Sequence, residues 1–316
     1  MPLQSQFMRF HEAILLKRFD ENAELREKRD RILRRLRENL SVSFEPFNQG
    51  SYAMGTGIKP LDGDYDIDVG IILNNVYTDR DPVTVKGWVH EAIKNHTANV
   101  NWRRPCITVY YQDAGEVIYH VDLAIMVRDR YDSQKLYLAI GNQHSSADQR
   151  EWQHDDRIGF MAAIEQKCSG EDGAQFRRVV RYLKRWKAVN FPKNGHAAPT
   201  GLSLTVAAFY WFSPNKTREY STGRESYNDL SATLLVARQL LARFSQGWNS
   251  ASGMVHTINL PFPNAPRDNV FGKMTPQQQE ECYLRLGQLI GNLEQAQSTD
   301  NAAYLKKAFG SDFPQG

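Results

Sequence analysis

The sequence predicts an α+β chain: a mixed sheet with helices in the first half, an all-helical second half, and a long N-terminal spine helix. Three observations carry this. Apolar, β-rich runs cluster between residues 66 and 127. After about Ile158 the apolar residues recur only at helical spacing, and before Leu40 they do the same within a highly charged stretch.

In chain order, Gln6–Leu40 reads as one helix, its stripe built from Phe7, Phe10, Ile14, Leu15, Phe19, Leu25, Ile32, Leu33 and Leu36. Strands follow at Asp66–Leu73, Cys106–Tyr111 and Val117–Val127, with a helix over Pro82–His96 whose early proline suits an N-terminus. Helices are then expected near Arg157–Cys168, Gly173–Asn190, Leu202–Phe212, Tyr227–Ser245, Pro276–Gln297 and Asn301–Phe309, around a proline-bearing loop at Leu260–Arg267. The expected domains are residues 1–157 and 158–316.

Composition narrows the class. Of 316 residues, 41% are hydrophobic and 24% charged, which suits a globular chain with a substantial core and excludes disorder as its main character. No apolar run approaches the roughly 18 residues of a membrane span, and the N-terminus lacks the pattern of a secretory signal, so a cytoplasmic protein is expected. A net charge of +3 is too mild to indicate nucleic-acid binding by itself. Cys106, Cys168 and Cys282 form no C-x-x-C pair, so neither a disulfide framework nor a structural zinc site is expected.

The chemistry concentrates in NQGSYAMGTGIKPLDGDYDIDVGIIL, residues 48–73. Asp64, Asp66 and Asp68 alternate with Tyr65, Ile67 and Val69, and alternation along a strand puts carboxylates on one face. Carboxylates so spaced repel unless a cation lies between them, and Mg²⁺, an oxygen-seeking ion, is the natural neutraliser. Asp122 sits mid-strand in YHVDLAIM, where an unpaired charge is costly. On a neighbouring strand it would complete a two-metal cluster; the alternative is strand-end acids and a local ion pair. Upstream, Gly50 and Ser51 form a turn before a short helix start, an arrangement that brings backbone N–H groups to an anion. His120 falls on the Asp122 face, bordering the cleft or serving as a structural histidine.

On QGSYAMGT (49–56), DIDVGI (66–71) and VDLAIM (121–126) the chain resembles the polymerase-β-type nucleotidyltransferase superfamily. More closely it resembles the bacterial cGAS/DncV-like nucleotidyltransferases of CBASS anti-phage signalling. The resemblance implies a polymerase-β-like nucleotidyltransferase core and a helical, oligoadenylate-synthetase-like nucleotide-binding domain. It implies Asp66, Asp68 and Asp122 as catalytic metal ligands for two Mg²⁺ ions, with Mn²⁺ able to substitute, and Gln49, Gly50 and Ser51 at the nucleotide. The gap from Ser51 to Asp66 is slightly longer than the family's, which leaves Asp64 as the alternative first ligand.

In FRRVVRYLKRWK, Phe176, Val179, Val180, Leu183 and Trp186 share one helical face, and Arg177, Arg178, Arg181, Lys184 and Arg185 the other. A basic stripe of this kind is ordinarily a solvated face. The resemblance implies that Lys184 and Ser203 reach the triphosphate. It gives Asp268-Asn269 no defined role, and no counterpart of the zinc-ligand insertion with which the vertebrate member senses DNA. It further implies NTP substrates, ATP among them, a cyclic di- or trinucleotide second messenger read by a separate effector, and a terminal Gly316 that a ubiquitin-transfer-like partner could conjugate. A linear oligoadenylate or RNA-tailing transferase, and a catalytically silent antitoxin-like module, are the alternatives.

Overall fold

In the computed structural model, the structure describes residues 2–16, 21–61, 63, 65–113, 116–167, 169–192 and 197–314. The chain separates into a sheet unit, Leu16–Ala162 with Asn264–Pro266, and a helical unit, Met1–Leu15 with Ala163–Pro263 and Arg267–Gly316. The first helix, α1 (Pro2–Ile14), is therefore in the helical unit, whereas α2 (Glu21–Asn39) is in the sheet unit. The single spine helix is corrected to two. The continuous apolar stripe misleads because its halves enter different cores: Phe7, Phe10 and Ile14 in one unit, Leu25, Ile32, Leu33 and Leu36 in the other.

The sheet unit continues with β1 (Phe44–Gln49), α3 (Gly50–Ala53), β2 (Tyr65–Leu73), α4 (Pro82–Ile93) and β3 (Asn99–Trp102). It then runs through β4 (Ile107–Asp113), β5 (Glu116–Arg128), β6 (Leu136–Ile140) and β7 (Glu151–His154). The strands form one seven-stranded sheet in the order β1-β2-β5-β4-β3, with β6 joining β5 and β7 joining β6. Among the described residues only β2 and β5 pair parallel; the other pairings of this sheet are antiparallel. The expected mixed sheet is thus present.

Strict alternation divides its faces. Ile67, Val69, Ile71 and Leu73 of β2, with Val121, Leu123, Ile125 and Val127 of β5, pack against Leu25 and Ile32 of α2 and Val85, Val89 and Ile93 of α4. Each such aliphatic side chain contributes about 1.5–3 kcal/mol by leaving water. The opposite face carries a smaller apolar cluster of Ile72, Ala124 and Met126 with Leu136, Leu138 and Ile140. The polar residues of β2 and β5 therefore emerge on this second face, at the strands' N-terminal ends. Helix α4 starts where Asp81 accepts from the Thr84 N–H at 2.7 Å, with Pro82 in the first turn.

From α5 (Arg157–Lys167) the chain passes into the helical unit, with α6 (Gly170–Asn190), α7 (Gly201–Trp211), β8 (Lys216–Arg218), β9 (Glu225–Tyr227) and α8 (Asp229–Ala242). Strands β10 (Ser245–Asn249) and β11 (Gly253–Thr257) precede α9 (Pro276–Thr299) and α10 (Ala303–Phe309). The hairpins β8–β9 and β10–β11 correct the all-helical expectation for this half. Helix α6 is central: α1, α7, α8 and α10 all pack on it. Phe7 and Phe10 of α1 meet Tyr182, Phe309 and Phe313 in one aromatic cluster. No helix among the described residues is long and apolar enough to cross a membrane.

Candidate active site

The parallel register of β2 and β5 places Asp66 beside His120 and Asp68 beside Asp122. Antiparallel β4 places Thr108 beside Asp122 and Tyr110 beside His120. These side chains share the face away from α2 and α4. The His120 Nε2 lies 3.3 Å from Asp66 Oδ1. One ligand atom each from Asp66, His120 and Asp122 fall within 4.8 Å of one another, a group of three that a metal ion could occupy. Oxygen and imidazole donors at that spacing fit a divalent cation.

Neighbours hold this group. The buried Thr108 hydroxyl donates to Asp122 Oδ1 at 2.5 Å, which fixes that carboxylate while its second oxygen remains an acceptor. The Tyr110 ring lies 5.8 Å from the His120 ring, and the Arg103 guanidinium donates to the Tyr110 hydroxyl. Beneath them, Lys86 of α4 is fully buried and donates to the carbonyls of Arg103, Arg104 and Gly141 at 2.5, 2.9 and 3.0 Å. Burial pulls the Lys86 ammonium down to about 8. Burial, then the Asp122 charge, pushes the Cys106 thiol up to about 12.

Asp68 is placed differently from Asp66 and Asp122. A Cβ built on Gly50 would lie 1.9 Å from Asp68 Oδ2, and Gly50 has φ +67. The Asp68 carboxylate therefore sits directly on the backbone that opens α3, where a side chain has no room. Gln49, opposite Asp68 in the β1–β2 register, is buried, and its Oε1 has no hydrogen-bond partner among the described residues. Ser51 lies in the first turn of α3. Gln49, Asp66, Asp68 and Asp122 thus share one face of the sheet, and Gly50 and Ser51 follow Gln49 into α3. Asp64 lies outside the described residues, as do Cys168 and Gly316.

Lys184 and Ser203 belong to the helical unit. Both are buried, and a Cβ on Gly201 would meet the Lys184 Cε at 3.3 Å, so the lysine runs along the first turn of α7. Ser203 Oγ donates to the Val270 carbonyl at 2.6 Å, while its N–H is capped by Thr200. The basic stripe departs from the ordinary solvated face: Arg178, Arg181, Lys184 and Arg185 are all buried because helices surround α6. Arg178 is committed to the fully buried Asp229, which accepts from its Nε and Nη2 at 2.7 and 3.0 Å and from Tyr182 at 2.9 Å. Asn269 has a structural task, accepting from the Leu260 and Phe271 N–H groups and donating to the Ile258 carbonyl.

Sequence reasoning missed Thr108, whose signal is its place two residues into a strand that pairs with Asp122. It weighed His120 only as a cleft-border or structural residue.

Residues 45–126, which run from β1 through most of β5, match the family described as the cyclic GMP-AMP synthase DncV-like nucleotidyltransferase domain. The chain is similar to CdnG, a CD-NTase of Bradyrhizobium diazoefficiens solved with GTP, at 15% identity and TM-score 0.73 over 98% of this chain and 95% of that one. It is similar to CdnC of E. coli MS115-1, solved with ATP, at 18% identity and TM-score 0.67 over 98% of each chain. The GTP-bound DncV of Vibrio cholerae gives 18% identity and TM-score 0.62 over 88% of this chain and 71% of that one. At these identities the structural likeness is one of fold. Residues 45–126 thus match the DncV-like nucleotidyltransferase domain, in a chain that has the fold of the CD-NTases.

Proposed function

We propose that the protein is a divalent-metal-dependent synthase that joins NTPs into a cyclic di- or trinucleotide, a second messenger for a separate effector in anti-phage defence. The observation that carries this is the meeting of Asp66 and Asp122 on one sheet face, with Asp68 beside them in register and pressed on the Gly50 backbone. The resemblance read in the sequence and the GTP and ATP of the similar structures make purine NTPs the first substrates to try.

In this reading Asp66, Asp68 and Asp122 hold Mg²⁺ or Mn²⁺. Such ions supply charge neutralisation at the triphosphate and make an acceptor hydroxyl easier to deprotonate. The chain's own residues do the positioning. Thr108 holds Asp122 in one rotamer, and Gly50 lets the backbone before Ser51 approach closely. Gln49 and Ser51 offer polar groups to the nucleotide, and Lys184 and Ser203 serve its phosphates. The acceptor hydroxyl gives up its proton to solvent, its oxygen bonds to the α-phosphorus, the bond from that phosphorus to the bridging oxygen breaks, and pyrophosphate leaves. A second such step closes a dinucleotide ring, or extends the chain so that a third closes a trinucleotide ring.

Asp66→Asn removes a charge from an exposed-edge carboxylate and leaves the cores intact. It should lower pyrophosphate release by at least about 10²–10³-fold, the scale of losing one preorganised electrostatic contact, with an unchanged circular dichroism spectrum. Full activity in Asp66→Asn would sink the assignment.

A further inference from the structure

We propose that His120 is itself a ligand of the site, giving it a nitrogen donor and a preference for Mn²⁺ over Mg²⁺. The inference rests on the metal-dependent reading above and deepens it. Asp66 and Asp122 are acids of the kind a phosphate-handling metal site requires; His120 is not, and its position demands an account.

The geometry supplies one. Metal–ligand bonds of about 2.1 Å put neighbouring ligand atoms of one ion roughly 3.0–3.5 Å apart. The His120 Nε2 and Asp66 Oδ1 are 3.3 Å apart, and one ligand atom each of Asp66, His120 and Asp122 lie within 4.8 Å of one another. The register makes this no accident of rotamers, because Asp66 and His120 are direct partners across the parallel β2–β5 pair. The His120 side chain is 15% exposed, while that of Asp66 is 47% exposed. The imidazole is thus held beside the carboxylate at a solvent-accessible edge, with the Tyr110 ring 5.8 Å from it.

Donor chemistry then decides the consequence. Mg²⁺ prefers oxygen ligands and retains its waters, whereas Mn²⁺ accepts imidazole more readily and lies higher in affinity for mixed nitrogen and oxygen sites. A carboxylate pair alone discriminates weakly between the two ions. Adding His120 tilts the site toward manganese.

The test uses the full chain with Mn²⁺ alone, without nucleotide. Electron paramagnetic resonance follows loss of the free-ion signal, and electron spin-echo envelope modulation detects a directly bound ¹⁴N. The wild type should show nitrogen modulation, and His120→Asn should lose it. His120→Asn should also weaken Mn²⁺ binding by about tenfold or more, while Mg²⁺, measured by competition, shifts far less. Bound Mn²⁺ that Asp122→Asn releases, yet without nitrogen modulation in the wild type, overturns the proposal and leaves the carboxylate site standing. Mn²⁺ binding that is absent, or indifferent to Asp66→Asn and Asp122→Asn, overturns both. The wild-type spectrum decides the matter even if His120→Asn folds poorly.

Discussion

Gly50 shows how closely the site is built around its acids. Its φ of +67 is a left-handed conformation that costs other residues about 1–2 kcal/mol, and a Cβ there would overlap Asp68 Oδ2. Gly50→Ala should therefore turn the Asp68 carboxylate aside. The expected outcome is a loss of turnover of about tenfold or more with a melting temperature lowered by only a few degrees, checked by paired activity and thermal-shift measurements. Retained activity would mean that Asp68 need not lie on that backbone. Much of this was legible in the sequence: Asp66, Asp68 and Asp122 stand out because a charge flanked by apolar residues in a strand needs a reason. The clasp between Gly50 and Asp68 was not, because it depends on β1 lying beside β2. Thr108 was hidden likewise, since its role exists only once β4 is in register with β5.

At the scale of elements, α6 is the instructive case. Its apolar face reads correctly from helical spacing, but a count of charges suggests solvent on the other side. Spacing cannot reveal that α1, α7, α8 and α10 enclose the helix, nor that Asp229 at the start of α8 takes up Arg178. That pair is fully desolvated, with Gln175 also donating to Asp229 at 3.1 Å. Removing one partner of such a pair leaves an uncompensated charge and costs about 3–5 kcal/mol. Asp229→Asn should accordingly lower the urea midpoint of the helical unit sharply; an unchanged midpoint would show that the network contributes nothing. The strands that escaped prediction have clear physical reasons. In β1, Pro46 argues against a strand, yet β1 lies at the sheet edge, where proline is tolerated. Strands β8 and β9, with sequences KTR and ESY, are too short and polar to alternate visibly.

For the whole molecule, the succession of a sheet-bearing half and a mainly helical half was readable, because periods of 2 and 3.6 separate cleanly along the chain. The membership of α1 was not: its stripe is helical whichever core receives it. Tyr182 shares its one hydroxyl proton between Asp229 and the Phe7 carbonyl, and the Gln4 amide accepts from the Asp229 N–H, so α1 is tied into the helical unit by polar as well as aromatic contacts. His11 lies in that attachment, and burial, followed by the charges of Arg181 and Arg178, lowers its pKa to about 4. The sign follows directly. Between pH 6.5 and 4 the unfolded chain binds a proton that the folded chain refuses, so stability present above pH 6.5 is lost as pH falls toward 4. The loss is on the order of 3 kcal/mol. His11→Leu should flatten that part of the melting-temperature profile, and a profile identical to wild type would assign the acid sensitivity elsewhere.

The central claim is that this sheet face joins nucleotides into a ring. Purified protein would be incubated with all four NTPs and Mg²⁺ or Mn²⁺, treated with phosphatase, and analysed by mass spectrometry. A phosphatase-resistant cyclic di- or trinucleotide, absent with Asp66→Asn, is the predicted result. A ladder of linear products with phosphatase-sensitive ends, or no nucleotide product with either metal, would contradict it.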